Sequence, residues 1–164
     1  MNINWESTFH LHPKTLEPGT KGIPIPSYGL YGGPGISGPG EPLDELDAAF
    51  ETHDNLSALA GNNVALQSAA DAQLVFEIAA LDQQGLLDDP EEALYAGVAT
   101  LGIVGELALN DSLQLLGSQA QLAAILVNAV DNIETGLTAE PSEGRGLHGA
   151  LHLFEAKFAD FLLV

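Results

Sequence analysis

The chain has 164 residues, 46% of them apolar, which suits one domain with a proper core and argues against intrinsic disorder. Four Lys and Arg stand against 23 Asp and Glu, a formal charge of -19. That balance excludes recognition of nucleic acid through a basic face, and an anionic membrane would repel the chain unless a cation bridged the two; with no cysteine, disulfides, thiolate catalysis and Cys-based zinc sites are excluded as well.

Up to about residue 42 the chain is rich in Pro and Gly and shows no convincing alternation, so loop and irregular structure are expected there. Beyond it the sequence reads as helices. The first is expected over 43–60, with Pro42 at its start and Asp44 and Glu45 complementing the helix dipole. A second is expected over 64–83, between the Gly61-Asn62-Asn63 break and Gly85. A third opens at Asp89-Pro90-Glu91-Glu92, where Asp89 can cap and Glu92 can close a capping box, and runs to Leu109. A fourth is expected over 112–134, stopping at Gly136. Its uncharged stretch 112–130 is long enough for a membrane span, but Gln114, Ser118, Gln119, Gln121 and Asn128 make it a buried or amphipathic helix. Residues 138–145 read as a polar linker. A last helix over 147–163 would place Leu147, Leu151, Phe154, Phe158 and Phe161 on one stripe. The expected fold class is all-α, in a single domain. Residues 1–20 hold no apolar run of the signal-peptide kind, so the expectation is export by another route or as part of a larger exported protein.

One stretch carries chemistry. Tyr28-Gly29-Leu30-Tyr31-Gly32-Gly33-Pro34-Gly35 is followed by Gly38, Pro42, Asp44, Leu46, Asp47 and the pair His53-Asp54. On a helix, Leu46, Phe50 and His53 share one face, which turns His53 toward the core, while Asp54 lies about 100° further round and faces a neighbouring groove. A half-buried histidine beside an acidic groove has the character of a general base. Glycines 32, 33 and 35 let the backbone turn tightly enough to aim carbonyls inward. Calcium is bound by several oxygens, carbonyls among them, with at least one carboxylate, and Asp54 can be that carboxylate.

These residues resemble the phospholipase A2 family, in which a Tyr-x-Gly-x-Gly loop and a His-Asp pair on the following helix build a calcium-dependent esterase site. Here the loop is Tyr31-Gly32-Gly33-Pro34-Gly35 and the pair is His53-Asp54, joined by Pro42-x-Asp44-x-Leu46-Asp47. Gly32, Ala49, Phe50 and Leu56 stand where the disulfide-rich members have cysteines, and two extra residues separate Gly38 from Pro42. The pattern is more similar to the cysteine-free domains of parvovirus capsid proteins, echoed by Gly33-Pro34, Gly40-Glu41-Pro42, Asp47-Ala48-Ala49 and His53-Asp54. Ala70-Asp71-Ala72 and the stretch 147–157 echo them too. The resemblance covers about 28–83 and 147–163, and residues 86–140 look like an inserted pair of apolar helices.

It implies calcium held by Asp54 and the carbonyls of Tyr31, Gly33 and Gly35. It also implies His53 as general base, Asp71 as the aspartate that supports it, and a phospholipid at a membrane or micelle interface as substrate. No G-x-S-x-G motif is present, so no acyl-enzyme is expected. One departure stands out: the family tyrosine three residues after the metal-binding aspartate is replaced by Ser57, leaving Tyr95 or a water to meet Asp71.

Other features take plainer readings. His148 and His152 stand at i, i+4, a spacing able to hold zinc, but no third ligand accompanies them, and His10 and His12 form a weaker pair still. Glycines 97, 102 and 105 read as close helix packing, with a lipid or membrane partner as the other use. Asp44, Asp47 and Glu51 read as a solvated face or first-turn charge. Trp5, Phe9, Ile23, Ile25 and Leu30 either pack the N-terminal segment or border the site mouth. Two rivals to an esterase remain. One is a catalytically silent, calcium-dependent phospholipid-binding module; the other is a protein that perturbs membranes through residues 93–130.

Overall fold

The computed structural model describes residues 3–11, 18–19, 23–33 and 35–138, and the account that follows concerns these residues. The chain is mainly helical, as expected. Four α-helices follow a small sheet: α1 (Glu45–Ala60), α2 (Val64–Gln83), α3 (Pro90–Leu109) and α4 (Gln119–Thr138). The linker 138–145 beyond its first residue, the helix over 147–163 and the pair His148 and His152 lie outside the described residues, as do His12 and the side chains of His10, Trp5, Phe9, Ile23 and Ile25.

The N-terminal segment corrects the expectation of irregular structure over 1–42. Strands β1 (Ile3–Leu11), β2 (Pro18–Gly19) and β3 (Ile23–Tyr28) form an antiparallel sheet in the order β2-β1-β3. Ile3 pairs with Tyr28 and Leu11 with Ile23, with an irregularity between Asn4 and Thr8. The period-2 pattern was there, with Ile3, Trp5, Phe9 and Leu11 at odd positions. In β3 it is hidden by Pro24 and Pro26. An edge strand tolerates proline because one side of its ladder needs no donor, and β3 is an edge.

The helix starts follow capping chemistry. Asp44 caps α1 by accepting from the Asp47 N–H at 2.8 Å, Asn63 accepts from the N–H groups of Ala65 and Leu66, and Asp89 precedes Pro90 at the head of α3. The helix expected over 112–134 is two pieces. A 3-10 turn, Leu113–Leu116, ends at Gly117, and α4 begins at a reciprocal cap in which Ser118 and Gln121 bond each other's backbone N–H through their side chains. That Ser-x-x-Gln capping box is legible in the sequence. α4 also runs past Gly136, because that glycine is buried against Leu94 and the Pro90 carbonyl, where a Cβ would collide.

Two apolar clusters result. One joins Tyr28, Leu46, Phe50, Leu74, Ile78 and Tyr95 beneath the Gly-rich loop. The other joins Val75, Val104, Leu107, Leu116 and Ile125 between α2, α3 and α4. Helices α2 and α3 are long and apolar enough to cross a bilayer, and both here contribute to these cores.

Candidate active site

The site is built on α1. Leu46 and Phe50 are buried, and His53 follows them one turn on with its side chain 20% exposed. Its Nε2 lies 2.9 Å from Oδ1 of Asp71, which α2 presents from a buried position. If Nε2 carries the proton it donates to that carboxylate, and Nδ1 keeps a lone pair. Nδ1 faces the Asp54 side, with Oδ1 of Asp54 at 3.7 Å, a distance for charge attraction rather than a hydrogen bond. Burial alone would lower the His53 pKa, but the carboxylates of Asp54 and Asp71 outweigh it and raise it to about 9.

The Gly-rich loop closes over this helix through a serine. Ser37 donates from Oγ to Oδ2 of Asp54 at 2.9 Å. Further back, Tyr28 and Gly32 exchange two backbone hydrogen bonds of 2.7 Å each. The Tyr95 hydroxyl lies 3.0 Å from the Gly32 carbonyl and 3.1 Å from that of Pro26. These contacts fix the loop's directions. In a trans peptide the C=O opposes the N–H, so with the Gly32 N–H turned to Tyr28, the Tyr31 carbonyl is turned away from it. The Gly33 carbonyl accepts from the Ile36 N–H at 3.1 Å, which leaves its second lone pair.

Tyr95 therefore does not meet Asp71. Its hydroxyl serves the loop, and beneath it the ring lies tilted 5.1 Å from Tyr28 and meets Phe50 edge to face at 5.7 Å. Burial pushes its pKa up, so it stays a donor. Ser57 Oγ is 3.5 Å from His53 Nε2, and Oδ2 of Asp71 is buried with no hydrogen-bond partner.

Asp47 is the second correction. Read from sequence as surface charge, it is 0% exposed. Its carboxylate accepts from the backbone N–H of Leu30 at 3.0 Å, of Tyr31 at 2.9 Å and of Leu43 at 3.0 Å. Gly29, at φ +55, sits so close that a Cβ would strike the Asp47 carboxyl group. Asp44 shares the work by accepting from the Tyr28 hydroxyl at 2.7 Å. The Tyr31 side chain is buried too, donates to the Gly40 carbonyl at 2.6 Å, and is held neutral by burial and by Glu51 and other nearby carboxylates. The missed signal was Asp47 one turn behind Phe50 on α1, where Leu46 and Phe50 bury their neighbour.

Glu106 is a further residue the sequence did not single out. It brings a carboxyl group from α3 toward the pair, and its pKa is raised by burial and by Asp71. Among the described residues, no three His, Cys, Asp or Glu side chains cluster as metal ligands. A cation at Asp54 would therefore draw its other ligands from the main chain, an all-oxygen set that suits a hard ion. No protein-family model matches the chain, and no curated protein and no solved structure matches it either.

Proposed function

We propose that the chain is a calcium-dependent phospholipase A2-type esterase that cleaves the sn-2 acyl ester of glycerophospholipids. One observation carries this reading: Nε2 of His53 is engaged by Asp71 at 2.9 Å, which leaves Nδ1 on the side where Asp54 meets the loop through Ser37. In this scheme Nδ1 takes a proton from water, the water oxygen bonds to the ester carbonyl carbon, and the proton passes to the departing alcohol oxygen as the ester bond breaks. Asp71 holds the ring and the charge it acquires. Asp54 with the carbonyls of Tyr31, Gly33 and Gly35 would hold calcium, which when bound polarises the ester carbonyl and anchors the phosphate. Leu59, Val64 and Leu66 are exposed at the α1–α2 turn, 83%, 54% and 54%, and offer apolar surface to a lipid interface about 9 Å along α1 from His53.

The test is fatty-acid release from mixed phospholipid vesicles with and without calcium. His53→Ala should lower release by at least ~10²-fold while calcium affinity stays nearly intact; retained turnover sinks the mechanism. Asp54→Asn should weaken calcium binding first. Wild type should gain a saturable rise in melting temperature with millimolar calcium at fixed ionic strength, worth roughly 2.7 kcal/mol at a hundredfold excess over Kd, and Asp54→Asn should not. An identical calcium response in the two proteins would mean that the acidic surface, and not the loop, senses the ion. The unpartnered Oδ2 of Asp71 favours a second reading, a silent calcium-dependent binding module, which predicts vesicle binding with calcium and no release in wild type.

A further inference from the structure

We infer that the carboxyl group of Glu92 is a proton-operated clasp at the head of α3: neutral, it lets α3 seat against the head of α1; ionised, it loosens that junction and the loop anchored there. The inference does not depend on the esterase reading. Glu92 stands where a capping box would turn its side chain back to the Asp89 N–H. Its Oε1 meets no donor there or elsewhere. The residue is 8% exposed, and that oxygen is buried without a hydrogen-bond partner. An unpaired carboxylate is costly to bury, and taking up a proton removes the charge.

The surroundings add charge of the same sign. Tyr95 follows Glu92 by one turn, and its ring lies 5.1 Å from that of Tyr28 and 5.7 Å from that of Phe50, so this face of α3 looks toward α1. Tyr28 in turn donates to Oδ2 of Asp44, the cap of α1. Asp44 and Glu45 face Glu92 from α1, and Asp88 and Asp89 face it from the head of its own helix. Glu91 beside it is half-buried and also raised in pKa, by burial and by Asp89. Among the described residues no Lys or Arg offsets them. Burial first, then Asp44, Asp89, Asp88 and Glu45, raise the Glu92 pKa from 4.5 to about 7. A carboxyl group raised in this way makes folding take up a proton. Its charge costs stability above about pH 7, and the cost is relieved as pH falls toward 4.5. Asp44 carries the effect to the loop, because it holds the Tyr28 hydroxyl and caps the turn that bears Asp47, which binds the N–H groups of Leu30 and Tyr31.

The experiment titrates the Glu92 carboxyl carbon by NMR in the full chain without calcium, and follows melting temperature and amide exchange between pH 8 and pH 6. His53 also gains stability on acidification, so the last two are measured in His53→Ala. The carboxyl midpoint should lie near 7. Melting temperature should rise by at least about 2 °C from pH 8 to pH 6, the mark of a roughly tenfold gain in the folding constant. Adding Glu92→Gln should remove most of that rise by lifting the value at pH 8, while adding Glu91→Gln should leave it in place. Exchange of the Leu30 and Tyr31 N–H groups, relative to an unfolded chain at the same pH, should slow about tenfold over the same interval. A carboxyl midpoint near 4.5 overturns the inference, as does a melting rise undiminished by Glu92→Gln. A rise abolished by Glu91→Gln alone overturns it too, by placing the proton on the neighbour, and loop exchange indifferent to pH overturns the clasp. Should Glu92→Gln not fold, the carboxyl midpoint and the loop exchange in chains that keep Glu92 decide.

Discussion

The loop region and the α3–α4 pair hold together by opposite means. Under the loop, polar groups dominate: the Asp47 carboxylate gathers three backbone N–H groups, Asp44 takes the Tyr28 hydroxyl, and Tyr95 bonds the Gly32 carbonyl. Between α3 and α4 the means is shape. Gly97 lies against the Ala129 carbonyl and Ile133, and Gly136 against Leu94 and Pro90, with no room for a Cβ at either. Among the described residues there is no Lys or Arg, so a carboxylate finds its partners in N–H groups, in hydroxyls or in His53. The difference teaches how an acidic chain can build a rigid loop: it neutralises charge with main-chain dipoles, which are already present at the loop and the first turn of α1.

Replacing the buried carboxylate should break the first region most severely. Asp47→Ala leaves three N–H groups without an acceptor and should cost about 3–5 kcal/mol in urea denaturation, with loss of loop order. Asp47→Asn, which keeps one acceptor oxygen, should cost less. A change below about 1 kcal/mol in Asp47→Ala would mean that the loop is held from elsewhere.

The second region should break by overpacking. Gly97→Ala should destabilise by about 1–3 kcal/mol, because the added methyl meets backbone of α4 rather than a flexible side-chain end. Gly102 on the same helix supplies the control. Nothing lies within 4 Å of a Cβ there, so Gly102→Ala should stabilise by about 0.5–1 kcal/mol through helix propensity. Equal effects at the two positions would remove close packing as the reason for Gly97.

The polar region should also respond to pH where the apolar one does not. His53 has its folded-state pKa raised from 6.5 to about 9 by Asp54 and Asp71 against the opposing effect of burial. Its contribution is therefore fully present below about pH 6.5 and is lost as pH rises through about 9. The stability of wild type relative to His53→Ala should accordingly be larger at pH 6 than at pH 10, by roughly 1–3 kcal/mol. A difference that stays constant across this window would show that His53 gains no charge partner on folding. The same ionisation predicts that ester cleavage rises with pH across this range, since only the neutral imidazole accepts a proton.

Periodicity and caps by themselves determined the first three helices: the 64–83 span matches α2, Asp89 and Pro90 open α3, and Leu46, Phe50 and His53 share the face of α1 that turns inward. These are local properties, decided within a turn or two of chain, and so they are legible in one dimension. The pairing of β1 with β3 was not, because prolines obscured the alternation and only a partner strand shows that β3 is an edge. The burial of Asp47 was not, because a carboxylate on a helix reads as solvated until a loop 16 residues earlier brings its N–H groups to it. Nor was the role of Tyr95, whose hydroxyl reaches the Gly32 carbonyl across 63 residues. Nothing in its own neighbourhood in the sequence encodes that contact. Tertiary structure decided these three because each turns on where a polar group finds its partner, and a partner distant in sequence is chosen only when the helices have packed.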